Sequence, residues 1–204
     1  DTVVGSIYEA ALDDSKWLDC MHQLGNLTGS PVSTGFWIEN AGDVLIEVAT
    51  TDEEIMLPYE AHYATTFPES FWSDRLSVGK MLRLADFWSD GGYEKSEYYN
   101  DFALPYDIPF GLMTVIDWAH YGVVRLCQCR TRGQGEFPAA TRRLIARFLP
   151  HLRRTFAIRD HVTELRQEAK AKSKALDRLP VGVLFLDEGG LVREMNQTAQ
   201  AFAN

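Results

Sequence analysis

An α+β fold, an antiparallel sheet with helices packed on it, is what this 204-residue sequence predicts. Three observations lead there. Strand-like segments come in adjacent pairs, Thr34–Glu39 with Val44–Ala49 and Phe110–Trp118 with Gly122–Cys129, each joined by a short turn-forming linker. Helical periodicity fills the chain before, between and after these pairs. No β-α-β alternation occurs, which argues against a parallel sheet.

From Gly5 to Leu27, Ile7, Tyr8, Ala11 and Leu12, then Trp17, Leu18, Met21 and Leu24, recur at helical spacing. Asp13-Asp14-Ser15 interrupts the run, so two helices are expected, the second capped by Asp14 or Ser15 and ended by Gly29-Ser30-Pro31. Asn40-Ala41-Gly42-Asp43 supplies the first hairpin turn. Thr51-x-x-Glu54 has the form of a capping box and opens a helix carrying Ile55, Tyr59, His62 and Tyr63. Residues 67–95 read as irregular, with Pro68 near the front, Gly91-Gly92 near the end, and Phe71, Trp72, Phe87 and Trp88 between. Glu94–Phe102 is expected as a short helix closed by Pro105, and the second hairpin turns near Ala119-His120-Tyr121. Residues 1–136 therefore read as one sensory-type domain of the GAF/PAS sort.

Residues 137–179 are expected to form one long connecting helix, since Pro138 can start it and no glycine interrupts it. Pro150 should kink the helix or mark a restart. Beyond it Ile158, Val162, Leu165, Ala169, Lys172, Leu176 and Leu179 step alternately by four and three, a heptad seam with one polar position. Such a seam suits a parallel helix pair between two chains, with Ile158, Val162, Leu165, Ala169 and Leu176 as the dimerisation residues. A single amphipathic helix lying on its own domain satisfies the same spacing. Val181–Leu186 and Leu191–Glu194 flank Asp187-Glu188-Gly189-Gly190 as another hairpin, and Asn196 starts a helix. One hairpin and a short helix cannot bury a core, so residues 180–204 are expected to be the truncated start of a second domain.

Composition narrows the function classes. With 46% hydrophobic and 24% charged residues the chain is of ordinary globular type. No apolar run approaches the roughly 18 residues that would suggest a membrane span, and no signal-peptide order opens the chain. A cytoplasmic location is expected. Cys20, Cys127 and Cys129 are an odd set without metal or redox spacing, better suited to packing as reduced thiols. Residues 130–180 hold 13 Lys/Arg against 5 Asp/Glu within a chain of net charge −9. Their even scatter suits a solvated helix face, and the acidic remainder is a poor surface for nucleic acid. No Gly-x-Ser-x-Gly, phosphate-cradling glycine loop or His-Glu-x-x-His is present. Neither catalysis, a metal nor a cofactor is expected.

From Leu179 to Ala199 the chain matches Leu-Pro-x-Gly-Val-x-x-x-Asp-x-x-Gly-x-Val-x-x-x-Asn-x-x-Ala, which resembles the opening of a PAS domain. Upstream, the segments Ile7–Trp17, Tyr59–Ala64, Ser96–Ile108 and Phe148–Val162 resemble, in order and spacing, the N-terminal sensory region of bacterial LuxR-family helix-turn-helix transcriptional regulators. The resemblance implies a C-terminal DNA-binding helix-turn-helix outside these residues, a homodimer, and an effector that acts through it. Members that bind acyl-homoserine lactones line their pocket with Tyr and Trp and carry an Asp-Pro step. Tyr63 and Trp72 stand in a comparable setting, but Phe67 precedes Pro68, so that Asp is missing and such a lactone is disfavoured.

Pockets for organic molecules are apolar and aromatic with a few placed polar groups. The elements around one sheet face contribute Trp37, Tyr59, Tyr63, Phe67, Trp72, Trp88, Tyr99, Phe102 and Met113 as candidate ligand-binding residues. Each is also a natural core residue. His62 is a neighbouring candidate hydrogen-bonding group, and Asp101 and Asp107 read first as capping or loop residues. Two functions follow: a sensory and dimerisation region for a small apolar or aromatic effector, or a ligand-free dimerisation and protein-interaction module.

Overall fold

Asp13 sets the start of the fold. The structure, a computed structural model, describes residues 2–30, 33–40, 43–68, 71, 76–119 and 122–203. In it α1 (Thr2–Ala10) and α2 (Trp17–Thr28) form where their spacing predicts. The junction is capped one residue earlier than expected: the Asp13 carboxylate accepts from the Ser15 N–H at 3.0 Å and the Ser15 hydroxyl at 2.7 Å. That bond starts a 3₁₀ turn at Asp14–Lys16, and α2 follows without a side-chain cap of its own. α2 ends on Gly29, whose φ of 73° lies where a side chain would be strained.

The chain divides into two units, Asp1–Ala157 and Ile158–Asn204. Unit 1 holds a five-stranded sheet, β1 (Ser33–Asn40), β2 (Asp43–Ala49), β3 (Met81–Arg83), β4 (Phe110–Ala119) and β5 (Gly122–Arg130). Its order is β2-β1-β5-β4-β3, antiparallel throughout. The two predicted hairpins thus lie side by side, joined by β1–β5 pairs such as Phe36 with Leu126. β3 falls within the stretch expected to be irregular and pairs Leu82 with Met113. Three residues are too few for alternation to show in a sequence.

Strand alternation divides the core into two. Phe36, Leu112, Ile116, Val124 and Leu126 face one side. There α1, α2 and the first turns of α4 (Ala139–Asp177) cover them with Ile7, Met21, Leu24, Ile145, Leu152 and Phe156. Trp17, Phe36 and Phe156 meet at ring centroids of 5.3, 5.1 and 5.0 Å. Met113, Val115, Val123 and Cys129 face the other side. That side is roofed by α3 (Glu53–Ala61) and by short turns at Tyr63–Thr66, Leu84–Phe87 and Tyr93–Lys95. The expected helix at Glu94–Phe102 is instead that last 3₁₀ turn followed by a π-helical turn at Tyr98–Ala103. The N-cap of α3 is Asp52, one residue after Thr51, and Asp52 makes no side-chain cap bond. α4 runs through Pro150 without a restart, although the proline supplies no N–H there.

In unit 2 the residues of α4 from Ile158 onward are followed by β6 (Leu184–Leu186), β7 (Val192–Met195) and α5 (Gln197–Ala203). One side chain ties these pieces together. The Asn196 amide donates to the Leu176 and Val181 carbonyls at 2.9 and 2.8 Å. Its oxygen accepts from the Val183 and Ala199 N–H groups at 2.8 and 2.9 Å. Asp187 closes the β6–β7 turn by accepting from the Gly189 and Leu191 N–H groups. The motif positions Asp187 and Asn196 are thus the ones that hold turn and helix end in place.

Candidate functional site

On the α3 side of the sheet, unit 1 contains a cavity of about 40 Å³. At roughly 10–15 Å³ apiece it has room for a few water molecules. Its floor is β5, where Cys127 and Cys129, two apart, point to one face. α3 contributes Ile55, Met56 and Tyr59, with Thr51 just before it; Ile55 and Tyr59 are four apart and share a helix face. Phe67, Phe71, Leu84 and Ile108 close the sides, and the π-helical turn adds Tyr98 and Phe102. Leu84 reaches the sheet because Gly111 lies under it: a Cβ at position 111 would stand 2.2 Å from the Leu84 Cδ1.

The walls are a continuous aromatic cluster. The Phe67 ring centroid lies 4.4 Å from Phe71, 4.6 Å from Tyr98 and 5.4 Å from Trp88. Offset and tilted contacts of this kind suit the ring quadrupoles. Burial raises the pKa of the Tyr59 and Tyr98 phenols and the Cys127 thiol, so all three are neutral at physiological pH. The described cavity lining includes no Asp or Glu. A permanent charge lies on the same face of β5. Arg125, only 1% exposed, alternates with Cys127 and Cys129 on β5, and its guanidinium carbon lies 5.7 Å from the Phe71 ring centroid.

Of the sequence-predicted residues, Tyr59, Phe67 and Phe102 line the cavity. Tyr63, Trp88, Tyr99 and Met113 belong to the same apolar cluster outside its described lining. Tyr63 stacks on Phe102 at 4.9 Å and its hydroxyl donates to the Asp101 carbonyl at 3.4 Å. Trp88 packs against Tyr98 and Tyr93, and Met113 is fully buried in β4. Tyr99 borders a second, more polar cleft of about 150 Å³ with Arg83, Tyr93, Glu94 and Glu136. The Trp37 side chain and all of Trp72 lie outside the described residues. His62 pairs with Glu97 at the surface, and Asp107 accepts from the Arg132 backbone and guanidinium as a loop residue.

Thr51, Ile55, Met56, Phe71, Leu84, Tyr98, Ile108 and both strand cysteines line the cavity without having been expected there from the sequence. Three of these had a usable signal. Cys127 and Cys129 share a strand face, and Tyr98 lies four residues before Phe102, the spacing that puts two side chains together on a helical turn. Arg125 had the same signal as the cysteines, since a charge amid Val123, Cys127 and Cys129 on one face departs from the apolar pattern. Among the described residues no group of three or more His, Cys, Asp or Glu could hold a metal ion.

No protein-family model matches the chain, and no curated protein matches it either. Solved structures do. The VqsR LBD domain from Pseudomonas aeruginosa is similar over 78% of this chain and 95% of its own, at 20% identity and a TM-score of 0.60. The N-acylhomoserine lactone-dependent LuxR-family transcription factor CepR2 from Burkholderia cenocepacia is similar over 80% of this chain and 93% of its own, at 14% identity and a TM-score of 0.51. At such identities the likeness is one of fold.

Proposed function

We propose that the chain is the ligand-responsive sensory and dimerisation region of a bacterial transcriptional regulator of LuxR type, with a small apolar or aromatic effector held in the α3-side cavity. The observation that carries this reading is the cavity itself, set on a sheet face and walled by five aromatic rings together with Ile55, Met56, Leu84 and Ile108. The fold shared with the VqsR LBD domain and with the lactone-dependent CepR2 supports it. Phe67 before Pro68 argues for an effector other than an acyl-homoserine lactone. Binding would spread the rings of the segment from Phe67 to Lys95 and tighten it over the effector. That adjustment would pass through the sheet to α4, by as much as the effector prefers one arrangement over the other.

Dimerisation is assigned to α4 beyond Ile158. Ile158, Leu165 and Ala169 are exposed and Val162 and Leu176 half-buried in the single chain, leaving a seam for a second copy. DNA binding belongs to a helix-turn-helix outside these residues, and the Leu179–Ala199 motif to the start of a PAS domain. A thermal-shift screen of apolar metabolites, with native mass spectrometry of the purified chain, tests the effector. A hit lost in folded Tyr59→Ala and Phe67→Ala supports the sensor. A stabilising hit that survives both variants places binding elsewhere and sinks the cavity assignment. Sedimentation of Val162→Glu/Leu165→Glu tests the seam, and an unchanged oligomeric state removes it.

The ligand-free interaction module is favoured by one specific observation: 40 Å³ leaves an effector no room unless the rings move. A screen with no hit, together with an intact dimer, selects that reading.

A further inference from the structure

Resting on the sensory reading above, we infer that the effector is an organic acid, an apolar or aromatic body bearing a carboxylate, and that Arg125 reads the acid. Arg125 lies on the central strand β5 and is, among the described residues, the largest side chain with under 2% exposure. It shares its strand face with Cys127 and Cys129, which form the cavity floor, and its guanidinium sits over Phe71, which forms a side. It also acts electrostatically on Cys127 and on one further lining residue, Tyr59. The permanent charge therefore borders the cavity.

The described cavity lining is one-sided in its chemistry. Among the described lining residues no carboxylate occurs, and the Tyr59 and Tyr98 phenols and the Cys127 thiol stay protonated. A guanidinium is costly to bury, and the low dielectric that makes it costly also strengthens its attraction for an incoming anion. Arg125 has partners of its own within the chain. A guanidinium offers five N–H donors in a planar fork, however, so a carboxylate can take a bidentate pair without displacing every existing contact. A neutral effector of the same shape would gain only the ring contacts. Selection for the acid thus falls to Arg125, and selection for its body to Phe67, Tyr98 and Phe102.

The test uses matched pairs on the whole chain: 3-phenylpropionate, indole-3-acetate and octanoate, each against its primary amide, by calorimetry and thermal shift at pH 7.5. At least one acid is expected to bind tenfold or more tighter than its amide. Arg125→Gln should weaken that acid at least tenfold and leave the amide within twofold, whereas Arg83→Gln, at the second cleft, should change neither. Equal or tighter binding of the amides overturns the acid assignment and leaves the sensory reading standing. Undiminished acid binding in folded Arg125→Gln, or its loss in Arg83→Gln, overturns it as well. Binding of neither class overturns both. If Arg125→Gln does not fold, the acid-to-amide ratio in the unsubstituted chain decides, with Arg125→Lys expected to keep the preference for the acid but at lower affinity, since an ammonium loses the bidentate fit.

Discussion

The two faces of the unit 1 sheet use the same strands and are closed in different ways. The α1/α2/α4 face is covered by regular helices and carries a structural polar tie: Gln128 donates to the Thr28 and Thr34 hydroxyls at 2.6 and 3.2 Å, tying β5 to α2 and β1. The α3 face is covered by one nine-residue helix and a series of 3₁₀ and π turns, packed ring against ring. Regular helices bring aliphatic ridges into close fit. Short turns present large flat side chains at varied angles and leave a gap. A sheet can in this way be anchored from one side and kept adjustable from the other.

That contrast can be broken or sharpened by substitution. The largest effect is expected on the anchored face: Phe156→Ala removes the shared partner of Trp17 and Phe36 and should cost about 3–5 kcal/mol in urea unfolding. A loss below about 1 kcal/mol would mean that this face is as yielding as the other. Next, Gly111→Ala drives a methyl into Leu84 and should cost about 1–3 kcal/mol, regained in part by adding Leu84→Ala. Absence of that rescue would show that the contact does not set the roof.

A smaller effect is expected from pH. Burial pushes the Cys20 thiol up to about 12 from 9.0, so the folded chain keeps a proton that the unfolded chain releases above about pH 9. Its contribution is complete below pH 9 and is lost between about 9 and 12, amounting to about 1 kcal/mol by pH 10. Urea midpoints should fall over that range and fall less in Cys20→Ala; equal slopes would show that the α1/α2/α4 face does not seal the thiol. The smallest change is expected at the cavity floor. Cys127→Val adds one methyl group's worth of bulk at a β-favourable position beside a gap, and should shift stability by no more than about 1 kcal/mol in either direction. A larger loss would show the floor to be as tightly packed as the opposite face.

The parts legible in the sequence were those built on period. Both hairpins, α1, α2 and α4 could be read because alternation of two or of three to four persists over seven residues or more. β3 and the π-helical turn at Tyr98–Ala103 are too short to show a period, and their form is set by what they roof. The cavity was legible as a cluster of aromatics but not as a lining. Tyr99 and Tyr98 are adjacent in sequence, yet only Tyr98 reaches the gap, because the backbone of a turn rather than composition aims each ring. Arg125 was passed over as one charge in a strand, since burial belongs to the assembled sheet.

Asn196 carries a consequence for chain length. Its amide meets the Leu176 carbonyl twenty residues upstream while its oxygen holds the Val183 and Ala199 N–H groups. The intervening turn is cinched by Asp187 and has no slack to absorb an extra residue. A single insertion or deletion between Leu176 and Asn196 would carry the amide off its partners and unlatch the helix end from the hairpin. In chimeras, therefore, the stretch from Leu176 to Ala199 should transplant as an undivided cassette, with splice points placed outside it.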